Sequence, residues 1–210
     1  MGKKVRIGID VGGTFTDAVV IDAGTYEVLA KRKIPTTHGE GVAHGVVEII
    51  SALMKENQIA PEDVTFIAHG TTQATNALLE GDVAQVGIVG MATGIDAHGA
   101  KGETNIGDIE LAPGKYLKSC HTFIDSKSLT EEAVAGAVRA LRDQGAQVIV
   151  ASEAFSVDDP ENELRVTALA ESEGLYATGG HEISQLYGLK MRTRTAVVNA
   201  SLIPKMMETA

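Results

Sequence analysis

Residues 8–17 read Gly8-Ile9-Asp10-Val11-Gly12-Gly13-Thr14-Phe15-Thr16-Asp17, within an apolar run that opens at Val5. A hydrophobic strand ends here in an aspartate. Two glycines, a pair of threonines and a second aspartate follow. Gly12 and Gly13 free the backbone for a tight turn and let N–H groups approach an anion closely. Thr14 and Thr16 add hydroxyl donors. Asp10, at the carboxyl end of the strand, can hold a hydrated Mg²⁺ through water. Asp17 either aids that metal or stabilises the loop, and the residues leave both roles open. An ordinary glycine turn would account for Gly12-Gly13 but gives no reason for the flanking acids and threonines. The segment is therefore taken as a phosphate cradle.

Two common nucleotide loops do not fit. A Walker A loop needs Lys-Ser or Lys-Thr after its second glycine, and Thr14-Phe15 follow Gly13. A dinucleotide loop turns from a strand straight into a helix. Here Ala18-Val19-Val20-Ile21 is a second β-rich run. Strand, glycine turn, strand resembles the first phosphate loop of the sugar kinase, Hsp70 and actin superfamily. A second segment, His69-Gly70-Thr71-Thr72-Gln73-Ala74-Thr75-Asn76, follows the apolar run Val64 to Ala68. The two segments together resemble the amino-terminal region of the hydantoinase A / 5-oxoprolinase family. That family also contains the ATP-using subunits of acetone and acetophenone carboxylases. The stretch Arg194 to Ala200, with Leu202 and Pro204, is similar to the end of the same region. Residues 91–120 depart from the pattern of a typical hydantoinase.

Periodicity predicts strands at 5–10, 17–22 and 26–34, a helix at 41–56, a strand at 64–68, a helix at 71–80 and a strand at 84–89. That βββαβαβ order predicts a mixed sheet. The superfamily resemblance makes it an actin-like ATPase (ribonuclease H-like) half-domain over residues 1–92. Residues 93–118 hold Gly94, Gly99, Gly102, Gly107 and Gly114 and are taken as a connecting loop. A smaller α/β subdomain is expected over 119–190, with strands at 121–125, 146–151 and 175–178 and helices at 130–144 and 160–173. Thr130 and Asp159-Pro160 mark the two helix starts. From Thr195 a helical pattern runs to Ala210, and residues 191–210 are expected to lead into a second half.

Composition narrows the function. A formal net charge of −10 and an aromatic content of 4%, without tryptophan, argue against a nucleic-acid partner or an anionic membrane. No apolar run approaches the length of a membrane span. Cys120 is the sole cysteine, so no intrachain disulfide can form, and the cytoplasm is the expected compartment. Cys120 is expected to pack rather than react. The six histidines show no metal-ligand spacing, and no Gly-x-Ser-x-Gly elbow is present.

His69 stands where a strand gives way to a helix, a place where open α/β sheets put ligand groups. Gly70, Thr71 and Thr72 would present N–H groups and hydroxyls at a helix N-terminus, and Asn76 follows one turn later. Alternatively, Thr71 or Thr72 merely caps the helix and His69 is a satisfied half-buried histidine. The candidate catalytic residues are Asp10, His69 and Thr71. Gly12, Gly13, Thr14, Thr16 and Asp17 are the candidate phosphate ligands, and Gly70, Thr72 and Asn76 the candidate cleft residues.

The resemblance implies ATP and Mg²⁺ as cofactors. It implies the amino-terminal part of an ATP-dependent amidohydrolase acting on cyclic amides through phosphoryl activation. An ATP-dependent ketone carboxylase subunit, a small-molecule kinase and a non-catalytic nucleotide-binding module are the alternatives. The expected partners are a small cyclic amide or ketone, a further carboxyl-terminal domain and a second subunit. With a single glycine loop, the 210-residue chain alone is expected to bind ATP weakly and to self-associate through Val198, Leu202 and Met206.

Overall fold

The computed structural model describes residues 4–37 and 42–209. In chain order these form β1 (Val5–Val11), β2 (Phe15–Asp22), β3 (Val28–Pro35), α1 (Val42–Glu56), β4 (Val64–Thr71) and α2 (Gln73–Glu80). Next come β5 (Val86–Ala92), α3 (Asp96–Thr104), β6 (Ile109–Ala112), β7 (Lys115–Leu117), β8 (Ser119–Asp125) and α4 (Glu131–Asp143). The remaining elements are β9 (Val148–Glu153), α5 (Glu161–Ser172), β10 (Tyr176–Gly179), α6 (Gly180–Ile183), α7 (Leu189–Ala200) and α8 (Ile203–Thr209). The expected helix start at residue 41 lies outside the described residues. The chain divides into two compact units between Asn76 and Ala77.

The first unit is a four-stranded mixed sheet in the order β3-β2-β1-β4. β1 pairs antiparallel with β2 and parallel with β4. The alternation of β1 puts Val5, Ile7, Ile9 and Val11 on one face, where they pack with Ala18, Val20, Ile49 and Leu53. Ile49 and Leu53 recur at helical spacing along α1 and are buried. Full burial of such side chains contributes about 1.5–3 kcal/mol each.

The second unit is a parallel sheet in the order β10-β9-β5-β8, with a small β6-β7 hairpin. Every residue of β5 and of β9 is buried. Such continuous burial marks central strands covered on both faces. Val134, Val138 and Leu141 of α4 and Val166 and Ala170 of α5 cover one face. Ala196, Val197 and Ala200 of α7, with Ile109 and Leu117, cover the other.

Four expectations change. The strand expected at 84–89 does not complete the first sheet; as β5 it is a central strand of the second. The boundary accordingly moves from residue 92 to 76/77, and the second unit is the larger one. The reason lies in pairing: β8 and β9 flank β5 on both edges. Residues 93–118 are not a loop, since they hold α3 and the β6-β7 hairpin. α3 has almost no apolar stripe, and only Ala100 and Thr104 seat it in the core. Finally, the last helical stretch begins at Leu189 and breaks at Ser201, ahead of Pro204. Val198 and Ile203 pack against the second core, and Leu202 is half-buried. That removes most of the exposed apolar face on which self-association rested.

The start of α4 agrees with its signal, whereas α5 begins at Glu161 with Pro160 rather than Asp159 as its N-cap and no side-chain cap from that residue. Thr130 Oγ1 accepts from Ala133 N at 3.2 Å, and Asp159 Oδ1 accepts from Glu161 N at 3.2 Å. Cys120 is half-buried, with its thiol 3.8 Å from the carbonyl oxygens of Val86 and Leu141. Burial pushes that thiol up, away from the reactive thiolate. No helix among the described residues is long and apolar enough to cross a membrane.

Candidate functional site

In the first unit, β1 and β4 run side by side and finish level. Asp10 aligns with Gly70, and Val11 with Thr71. Across the hairpin, Asp10 stands opposite Asp17, and Val11 opposite Thr16. The turn between them is closed by Gly12 N donating to Phe15 O at 2.9 Å. Thr72 N donates to Val11 O at 3.2 Å, which ties the start of the second motif to the end of β1.

A side chain at either glycine of the turn would crowd its neighbours. A Cβ on Gly12 would lie 3.0 Å from the Phe15 carbonyl oxygen and 3.8 Å from Thr72 Oγ1. On Gly13 it would lie 3.1 Å from the Asn76 side-chain amide. The two sequence motifs therefore meet: Thr72 and Asn76 close over the glycine turn. Thr14 is exposed beside them.

Two residues missed at the level of sequence complete the arrangement. Thr36 follows β3, and its backbone N–H donates to Thr14 O at 2.9 Å. Its hydroxyl donates to Gly12 O at 2.8 Å. Thr36 Oγ1 also lies 3.2 Å from Thr16 Oγ1. Because the Thr36 proton goes to Gly12, the Thr16 hydroxyl is the donor of that pair. Thr16 is only 2% exposed. It is thus a scaffold residue, and its expected role as a phosphate ligand is corrected. Lys33 is the other addition, with its ammonium 3.0 Å from Asp17 and 5.0 Å from the centre of the Phe15 ring. The β2-β3 ladder, which pairs Phe15 with Pro35 and Asp17 with Lys33, was the available signal.

Asp10 and Asp17 are like charges directly opposite on adjacent strands, a destabilising pair unless a cation attends it. Lys33 attends one side. Both aspartates are exposed. They border a hollow of about 580 Å³ on the sheet face away from α1, lined also by Gly8, Val19, Lys31 and Lys33. Among the described residues no group of three or more His, Cys, Asp or Glu could hold a metal ion. An all-protein cage is thus missing there, while two carboxylates completed by waters and phosphate oxygens suit Mg²⁺.

His69 departs from expectation. It aligns with Ile9, on the face opposite to the one that carries Asp10 and Gly70. It is exposed rather than half-buried. The structure therefore parts His69 from Asp10. Thr71 closes β4; its side chain lies outside the described residues. Gly70 stays with the site, its would-be Cβ 4.0 Å from Asp10 Oδ1.

The hydantoinase/oxoprolinase N-terminal region family matches residues 6–174. The chain belongs to that family. Caprolactamase subunit alpha from Pseudomonas jessenii is 30% identical, over 97% of this chain and 32% of that protein. The crystal structure of ATP-dependent caprolactamase from the same organism is similar with a TM-score of 0.60 at 28% identity, over 97% of this chain and 32% of that one. The acetophenone carboxylase gamma subunit of Aromatoleum aromaticum is 28% identical, over 93% of this chain and 31% of that subunit. A nucleotide-free acetone carboxylase structure is similar in fold, with a TM-score of 0.70 at 18% identity, over 99% of this chain and 33% of that one. The chain spans about a third of the length of the curated relatives it matches. The fold is α/β and is shared with these two structures over nearly the whole chain.

Proposed function

We propose that this member of the hydantoinase/oxoprolinase family is the nucleotide-phosphate-binding part of an ATP-dependent enzyme that opens cyclic amides. The observation that carries the proposal is the convergence of Asp10, Gly12, Gly13, Thr72 and Asn76 at one end of the first sheet. The exposed Thr14 hydroxyl would meet a phosphate, while the Gly12 N–H, which donates to Phe15 O, and the Thr36 hydroxyl, which donates to Gly12 O, hold the turn in shape. Asp10 and Asp17 would hold a hydrated Mg²⁺, which would neutralise phosphate charge. ATP would supply a phosphoryl group to the amide oxygen with release of ADP; water would then add to the ring carbon, the C–N bond would break with a proton going to the leaving nitrogen, and a second water would release phosphate from the resulting acyl phosphate. The chain's own contribution is positioning and charge stabilisation, which is most of what phosphoryl transfer asks of a protein.

Ketone carboxylation is the second proposal, favoured by the 28% identity to an acetophenone carboxylase subunit. One experiment separates the two. ATP turnover by the complete protein is measured with a panel of lactams and hydantoins, and again with ketones plus bicarbonate. Stimulation by cyclic amides alone supports the first. Stimulation by ketone and bicarbonate alone replaces it with the second. Nucleotide binding without turnover under either condition leaves a non-catalytic module.

A further inference from the structure

The second unit carries a cavity of its own, about 390 Å³, that the phosphate site does not involve. Its position follows from topology. In the parallel order β8-β5-β9-β10, the chain leaves β5 toward β8 and leaves β9 toward β10. The crossovers therefore diverge between β5 and β9. Open α/β sheets bind ligands in the crevice outside the carboxyl ends of the strands at such a switch point. The cavity lies there. Ile95 and Asp96 line it from the segment after β5, Ala154 and Phe155 from the segment after β9, and Tyr187 and Gly188 from the loop before α7.

The walls are held by buried charge. The Arg192 guanidinium, which is fully buried, donates to Leu186 O at 2.6 Å and to Glu153 O at 2.6 Å, with Tyr187 O at 3.3 Å. Glu163, also fully buried, accepts from Glu153 N at 2.8 Å and from His181 N at 2.9 Å, and its carboxylate lies 2.6 Å from His181 Nδ1. Glu153, the last residue of β9, is thus gripped at both backbone groups. Burying a guanidinium and a carboxylate is costly, and packing alone would not call for it. The two groups fix the strand end and the 186–187 wall against each other.

What lines the cavity indicates its ligand. Phe155 holds a left-handed backbone, φ 65°, and is 59% exposed. Ile95 is 98% exposed and Tyr187 65%. The Tyr187 hydroxyl donates to Asp158 Oδ1 at 2.8 Å. Asp96 and Glu103 add carboxylates along one flank of α3, and no Lys, Arg or His is among the lining residues. Carboxylates bordering exposed aromatic and aliphatic side chains suit an organic cation, its charge on the carboxylates and its apolar body on the rings. We infer that this cavity is a binding site for a primary ammonium compound with a short apolar body. The ammonium sits by Asp96 and Glu103, and the apolar body lies on Phe155, Ile95 and Tyr187.

The test titrates the 210-residue chain with benzylammonium, benzyl alcohol and benzoate, by calorimetry and by amide chemical shifts. The expected result is saturable binding of benzylammonium, with shifts concentrated in residues 93–103, 154–158 and 186–190. The alcohol and the benzoate should bind at least about tenfold more weakly, since the attraction of the ammonium to the two carboxylates carries recognition. The doubly altered Asp96→Asn, Glu103→Gln chain should lose about tenfold in affinity at an unchanged melting temperature, because both carboxylates are exposed. Phe155→Gly should weaken binding while leaving the chain no less stable, since glycine relieves the left-handed backbone. The inference is overturned if benzylammonium shows no saturable binding, if the alcohol binds as tightly, or if the double variant keeps full affinity.

Discussion

Thr36 shows how the glycine turn is held. Its hydroxyl serves two partners at once, Gly12 O and the Thr16 hydroxyl. Thr36→Val keeps the shape and leaves both partners unpaired, a cost of about 1–3 kcal/mol. In the complete protein the expected outcome is a raised KM for ATP with a smaller change in kcat, and restoration by Thr36→Ser. Steady-state kinetics of the three proteins check it. Asp10, Gly12 and Gly13 were legible in the sequence because they form one local motif. Thr36 was not, because it acts across 24 residues on Gly12. His121 offers a second measurement. Thr104 Oγ1 donates to Ala100 O, so His121 Nε2, 2.9 Å away, is the donor to Thr104. Burial, with the nearby Lys101 charge, holds the imidazole below its ordinary value of 6.5. The unfolded chain therefore takes up the proton first as pH falls, and stability drops from pH 6.5 down through the folded pKa. Melting temperatures between about pH 7.5 and 5 should show this slope, and His121→Asn should flatten it.

Among the elements, β5 is the strand whose place was misjudged. Its run of apolar residues reads equally well as the last strand of the first sheet or as a central strand of another. Only its partners decide, and β8 and β9 lie far along the chain. α3 was hidden for a different reason: Gly99 and Gly102 remove the apolar periodicity by which a helix is recognised. Gly90 is where β5 and α3 meet. A Cβ there would clash with Thr104 Oγ1 and lie 2.9 Å from His121 Nε2. Gly90→Ala should therefore destabilise the chain by about 1–3 kcal/mol, and Thr104→Ala in the same chain should recover part of the loss. Denaturant unfolding of the two variants decides it; full stability of Gly90→Ala alone would contradict this packing.

For the molecule as a whole, the family and the α/β class follow from motifs at 8–17 and 69–76, and residues 6–174 match the family. The second motif's place at the end of a strand beside β1 was legible, but the face on which each side chain falls was not. Strand register sends Gly70 toward Asp10 and His69 to the other face, and one residue of slip would have exchanged them. The account rests on Asp10 and the turn it adjoins binding nucleotide phosphate. The most direct measurement is ATP turnover by the complete protein carrying Asp10→Ala, with circular dichroism and melting temperature confirming the fold. Asp10 is exposed, so folding should be kept. Turnover should fall on the order of 10²–10³-fold, as when a single preorganised charge-stabilising group is removed. Near-normal turnover by a folded Asp10→Ala protein would contradict the account.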